Sequence, residues 1–353
     1  MRNMVCKEQY NSQKNMIYSL DVLRFIMAIF VTMLHLKPLT SYSSELSFFM
    51  TNWLTRIADS VFFCITSYLF FYTKELHNLQ WKDLFKYVKR IFVYYTAWTI
   101  IYMPLIISNF MTDKYDGMSL LKKLIIFVRR FLLIGSWTPL WFMPAAIIGV
   151  TITFIFLKFN QSRYIILSVA IITYVGISCF SSAWIFVGER IVGENRAIGI
   201  ISNIYAMIFG ATTVGNIPYA FCFIALGMCV AYNKHFYKIY IDIIGFIVTM
   251  LMLFGEVVYT RRGGAEEYGA MLCLIPATYF CINIFLKIKL RGKNIYKVLR
   301  QVSILIYPIH SLVSGINLGN SLLNYFVMMG VTVLIALLIL KLSRKISLFR
   351  LLY

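Results

Sequence analysis

Charge is scarce in this chain of 353 residues: Asp, Glu, Lys and Arg together make up 14% of it, and only 14 residues are acidic. Soluble domains carry roughly a quarter of their residues as charged groups, so a sizeable soluble domain is excluded. The sequence also has no P-loop, no GxGxxG following a strand and no paired-His metal motif, which removes the common nucleotide and zinc chemistries. Its seven cysteines, Cys6, Cys64, Cys179, Cys222, Cys229, Cys273 and Cys281, include no CxxC and build no loop-borne disulfide framework. They read as small residues of a membrane core. Of the four histidines, His77 and His235 fall in loops, so a three-His metal site at membrane depth is excluded. The first apolar run carries Asp21 and Arg24 and no small-residue cleavage site, which makes it a span and not a removable signal. No internal repeat of interrupted helices recurs in two halves, which argues against an inverted-repeat transporter.

What is present is apolar: 60% of the residues are hydrophobic and the mean hydropathy is +0.75. A spanning helix needs ~20 apolar residues, so a chain of this length holds roughly ten spans and little else. The predicted fold is all-α, a polytopic membrane helical bundle. Candidate spans lie near 17–37, 57–73, 91–110, 139–157, 164–183, 217–232, 239–259, 268–286, 300–316 and 321–340. Residues 1–16 then form a cytoplasmic N-terminal segment, 17–342 a single transmembrane domain and 343–353 a cytoplasmic exit. With both termini inside, the inner segments carry 22 Lys and Arg against 11 outside, in keeping with the positive-inside rule. The net charge of +20 thus reflects orientation in the bilayer, and no nucleic acid is expected as a partner. The main exception is 118–134, MSLLKKLIIFVRRFLLI, whose clustered charge suits an amphipathic helix lying in the interface. The long outer loop 184–216 carries Glu189, Arg190, Glu194, Asn195 and Arg196, and long loops of this kind often cover binding sites.

An ionisable group at membrane depth costs ~2.5–3.5 kcal/mol on insertion scales, which makes each one a functional candidate. These groups are Asp21, Arg24, His35, Asp59, Asp242, Glu256 and His310. Arg24 and His35 are eleven residues apart, about three full helical turns, so they share one face with their Cα atoms about 16 Å apart. Asp21 is one turn from Arg24 and can pair with it. Two readings stay open: a structural Asp21–Arg24 pair with His35 marking the opposite interface, or a polar stripe serving an anionic ligand. His310 lies two residues after Pro308, which frees a backbone carbonyl, with Ser303, Ser311 and Ser314 nearby. It is either a helix-to-helix hydrogen-bonding group or part of a site.

These residues resemble the membrane acyltransferases called acyltransferase family 3. SLDVLRFIMAIFVTMLHL reproduces the family's R-x10-H with Arg24 and His35, and VFFCITSYLFF (61–71) is similar to its span-two FFxxSGFL. TPLWFMPAAIIG (138–149), IPYAFCFIALGM (217–228) and SILIYPIHSLV (303–313) match further blocks in order. The sequence departs from one branch of the family in having no carboxylate-rich motif at span four and Tyr68 in place of the span-two glycine. The resemblance implies a helical pore that admits acyl-CoA from the cytoplasm and a hydroxyl acceptor from outside. His35 would act as the catalytic base, and Arg24 would assist catalysis and hold the donor's phosphates.

The whole chain also resembles the N-terminal membrane part of the serine racemases of vancomycin resistance, in which such a bundle precedes a cytoplasmic pyridoxal-phosphate domain. The basic ending KLSRKISLFRLLY fits an exit toward such a C-terminal racemase domain. This resemblance implies a bacterial cell-membrane protein that binds or imports L-serine for conversion to D-serine. No cofactor is expected within the chain, with pyridoxal phosphate only in the downstream domain and acyl-CoA in the alternative. By sign alone, Arg24, Arg190 or Arg196 would meet the carboxylate of L-serine or another small polar molecule, and Asp59 or Glu256 the ammonium. His310 and Trp141 complete the expected substrate-binding set. The lipid bilayer and a second copy of the chain, as a homodimer, are the remaining expected partners. The competing functions are an O-acyltransferase acting on a cell-surface hydroxyl and a membrane anchor with a vestigial site.

Overall fold

The architecture comes from a computed structural model that describes residues 2–74, 79–112, 115–193, 200, 217–233 and 238–353, the side chains of 2–17 and 192 excepted. Thirteen α-helices are described: α1 Arg2–Leu36, α2 Ser44–Phe49, α3 Ile57–Tyr72, α4 Trp81–Phe110, α5 Leu120–Arg129, α6 Phe142–Lys158, α7 Arg163–Ser181, α8 Ile185–Val192, α9 Ile217–Tyr232, α10 Ile239–Arg262, α11 Leu274–Lys287, α12 Asn294–Leu312 and α13 Ser321–Leu342. The described residues contain no strand. Each of the ten predicted spans is a helix, and seven are long and apolar enough to cross a membrane. Ile217–Tyr232 and Leu274–Lys287 are shorter apolar helices, and Asn294–Leu312 carries Lys297 and Arg300 in its first half. The protein is an all-α membrane bundle.

Lipid is as apolar as leucine, so helices in a bilayer are held by close packing and polar bonds more than by the hydrophobic effect. The packing centre is α9, buried at every position from Tyr219 to Val230 and packed against α3, α6 and α7. Gly227 permits its closest approach, because a Cβ there would sit 2.3 Å from the Cys64 carbonyl of α3. The Ser67 hydroxyl then donates to the Ile224 carbonyl at 2.5 Å. Around this core, α1 packs on α12, α3 and α11, and α10 packs on α11. Outer faces such as Ile244, Ile247 and Leu251 of α10 and Leu334 and Leu338 of α13 are exposed apolar surface, as lipid contact requires.

Several local arrangements bear on the predicted organisation. Span two is longer than 57–73: residues Ser44–Tyr72 form one apolar helical stretch. It is interrupted, because a π-helical turn over Met50–Leu54 ends at Thr55 and α3 starts anew after Arg56. In the 118–134 segment, α5 has no buried residue and exposes Leu120, Leu121, Leu124 and Ile125. Lys123 of α5 donates to the Phe110 carbonyl at 2.9 Å. Asp242 on α10 and Lys287 on α11 form a partly buried ion pair. The loop residues His77, Glu194, Asn195, Arg196 and His235 lie outside the described residues.

Candidate functional site

Pro308 breaks the regular bonding of α12 and thereby sets where His310 sits. With no N–H on residue 308, the Ile304 carbonyl lacks its helical donor, and the Tyr94 hydroxyl of α4 supplies one at 3.0 Å. One turn on, the Tyr102 hydroxyl donates to the Pro308 carbonyl at 2.5 Å. His310, only 2% exposed, is held with Nδ1 3.2 Å from the Ile306 carbonyl. If Nδ1–H donates there, the neutral ring keeps its Nε2 lone pair for an acceptor role.

His35, near the end of α1, stacks on His310 with ring centroids 5.2 Å apart and planes inclined by 28°. The two intramembrane histidines predicted from sequence are therefore neighbours, brought together by the packing of α1 on α12. His35 is exposed and borders a cleft of about 400 Å³ whose lining mixes Lys37, Thr40, Asn317, Ser321 and Asn324 with the apolar Leu36, Ile316 and Met328. Imidazole, ammonium, hydroxyl and amide groups there suit a small polar ligand.

Arg24 occupies a different level of α1. Its guanidinium lies 3.6 Å from Asp21, whose other oxygen is 3.8 Å from Arg300 of α12. One buried carboxylate thus faces two guanidiniums, which leaves local positive charge.

Asp59 lies in the first turn of α3 and is 7% exposed. No ion pair or hydrogen bond engages it among the described residues, although Arg56 lies within electrostatic reach. Arg56 is 8% exposed, gives one hydrogen bond, to the Asn52 Oδ1 at 3.1 Å, and leaves Nε buried without a partner. Arg56 falls just outside the apolar run that starts at residue 57, so the sequence places it with the outer charges. The signal that could have found it is the four-residue stretch Arg56–Asp59, an opposite-charge pair at i and i+3 within an otherwise apolar run.

A run of aromatic contacts leads from α3 to His310. Trp141 lies 5.7 Å from Phe63 and 6.3 Å from Tyr219, and Phe142 lies 5.9 Å from Tyr307. Tyr307 in turn meets His310 edge-on at 6.4 Å, and its hydroxyl is buried without a hydrogen-bond partner. Glu256 is on a separate element, α10, where it accepts from Trp184 Nε1 at 2.7 Å, Leu272 N at 2.6 Å and Cys273 N at 2.8 Å. Arg190 is exposed on α8, and Arg196 is outside the described residues. The structure brings His35 and His310 into contact and joins Trp141 to them through Phe142 and Tyr307, with Asp59 and the unanticipated Arg56 one turn apart at the start of α3 and Arg24, Glu256 and Arg190 engaged or exposed elsewhere.

Comparison with known proteins gives a consistent picture. An acyltransferase domain family matches residues 17–341. An amino-acid racemase of Enterococcus faecalis is 24% identical over 343 residues, 93% of this chain and 46% of that protein. A second amino-acid racemase of the same organism is 25% identical over 288 residues, 80% of this chain and 37% of that protein. A serine/alanine racemase of Enterococcus gallinarum is 22% identical over 345 residues, 94% of this chain and 47% of that protein. The chain thus spans less than half the length of these curated relatives. No solved structure matches it.

Proposed function

The chain belongs to the acyltransferase domain family, and from that premise we propose that it serves as a membrane module that binds or imports L-serine for a racemase. The observation that supports this reading is the His35–His310 stack, whose exposed member His35 borders a cleft of mixed lining that sets Lys37, Thr40, Asn317 and Asn324 beside Leu36 and Met328. A neutral imidazole there can accept the serine hydroxyl as a hydrogen-bond donor, the same contact that a family member needs for a hydroxyl acceptor. Relatives named as amino-acid and serine/alanine racemases support the choice of ligand. Pyridoxal-phosphate chemistry would then belong to a part of the protein beyond this domain. With the buried Arg56 taken out of the 11 outer charges, leaving 10 against 22, the charge split further supports both termini facing the cytoplasm, which would put the His35 end on the outer side.

One observation favours a second reading, an acyl-CoA-dependent O-acyltransferase acting on a cell-surface hydroxyl. Arg24 and Arg300 share the single carboxylate of Asp21, and the remaining positive charge suits a donor phosphate. Thermal stabilisation and proteoliposome flux measured with L-serine and with acetyl-CoA separate the two. Stabilisation and uptake with L-serine alone, weakened in His35→Ala, are expected. Stabilisation by acetyl-CoA with indifference to L-serine overturns the delivery reading and restores the transferase.

A further inference from the structure

We infer that Arg56 and Asp59, at the break in span two, form a clamp for the carboxylate and ammonium of a free α-amino acid. This rests on the amino-acid reading above and names the residues that would carry its specificity.

Two buried opposite charges one helical turn apart would ordinarily neutralise each other, since unpaired ions in a low-dielectric interior are costly. Arg56 and Asp59 are both more than nine-tenths buried, yet they are absent from the ion pairs among the described residues. Arg56 spends one N–H on Asn52 and keeps Nε buried without a partner, and no hydrogen bond engages the Asp59 carboxylate among the described residues. Buried polar groups left open in this way call for a ligand or water to complete them. The net charge of the Arg56–Asp59 couple is zero, so a zwitterion matches it better than an anion or a cation, either of which would leave one of the two unmatched.

The backbone points the same way. The chain stops helical bonding at Thr55, whose hydroxyl returns to the Met50 and Thr51 carbonyls, and resumes at Ile57. A discontinuous spanning helix exposes an N-terminus with partial positive charge inside the membrane, a favourable place for a carboxylate. Asp59 in the first turn of α3 is stabilised by the same dipole and remains available to an ammonium group.

The test uses the purified full chain in detergent, with thermal stabilisation read for L-serine, for serinol, which lacks the carboxylate, and for 3-hydroxypropionate, which lacks the ammonium. The wild type is expected to bind L-serine at least tenfold more tightly than either analogue. Arg56→Gln should weaken L-serine by about tenfold to a hundredfold, the worth of a charge-assisted bond, and leave serinol unchanged. Equal L-serine binding by wild type and Arg56→Gln overturns the clamp, as does an equal loss of both ligands. If Arg56→Gln does not fold, the wild-type series decides: serinol bound as tightly as L-serine overturns the clamp, and a tenfold preference for L-serine supports it. A wild type indifferent to every amino acid overturns the delivery reading and the clamp together. A wild type that binds L-serine without needing Arg56 overturns the clamp alone.

Discussion

Glu256→Gln separates an anchoring carboxylate from a ligand-binding one. The Glu256 side chain accepts from Trp184 Nε1, Leu272 N and Cys273 N at 2.7, 2.6 and 2.8 Å, tying α10 to the segment that leads into α11. Hydrogen bonds to a charged group are worth about 1.5–3 kcal/mol each, and a donor left buried without an acceptor costs about as much again. Glutamine keeps one oxygen acceptor but turns an amide donor toward a donor, so at least one bond is lost and one N–H is orphaned. The expected destabilisation is about 2–4 kcal/mol, and Glu256→Ala, which removes all three acceptor contacts, should cost more than Gln. Against a total stability of ~5–15 kcal/mol the alanine variant approaches the threshold of folding. Helix content followed by circular dichroism during SDS titration of mixed micelles reads the loss, and L-serine binding is measured on the folded fraction. Glu256→Gln should unfold earlier and bind L-serine with unchanged affinity. Unchanged stability with a tenfold or greater fall in affinity would refute the anchoring argument and make Glu256 the ammonium ligand.

Other substitutions test the packing directly. Asp242→Asn leaves Lys287 without its counter-charge between α10 and α11 and should cost about 3–5 kcal/mol, recovered in the Asp242→Leu, Lys287→Met double variant, as read by the same SDS midpoint. Gly227→Val pushes side-chain atoms into the Cys64 carbonyl, 2.3 Å from where a Cβ would lie, and should destabilise by about 1–3 kcal/mol or more, with Gly227→Ala milder. Reporter fusions at residues 79–80 and 288–293 should read as cytoplasmic and one at Gly264 as external; the reverse pattern would overturn the orientation drawn from charge.

The helical frame was legible because a bilayer leaves few choices: a long apolar run must satisfy its backbone bonds internally, and a helix does so. All ten runs became helices for that reason. The pairing of His35 with His310 was not legible, since 275 residues separate them and only the packing of α1 on α12 brings the rings together. Periodicity puts Arg24 and His35 on one face of α1, but a shared face is not a shared contact, and Arg24 turns to Asp21, which also faces Arg300. Hydropathy also hid Arg56. A window that averages apolarity ends where a charge begins, so it moved the boundary of span two to residue 57 and set the charge outside. The helix in fact continues on both sides of the break, with Arg56 buried within it.

Acyl transfer and serine delivery make the same first demand on this bundle, an imidazole that holds a hydroxyl away from bulk water. They part at the second contact, and ligand length decides which residues can supply it. Arg24 lies about 16 Å along α1 from His35, given a rise of about 1.5 Å per residue over eleven residues. A free amino acid whose hydroxyl rests on His35 cannot span that distance, and so cannot use Arg24 at the same moment. An acyl-CoA, with its long pantetheine arm, can bridge from a phosphate near Arg24 and Arg300 to a thioester near His35. Arg56 is different: it lies buried one helical turn from Asp59, a spacing that a small zwitterion's carboxylate and ammonium can bridge. Substitution of Arg24 is therefore informative about a long anionic donor, and substitution of Arg56 about a short zwitterion. The two charges, set on different helices, let one bundle be interrogated for both chemistries.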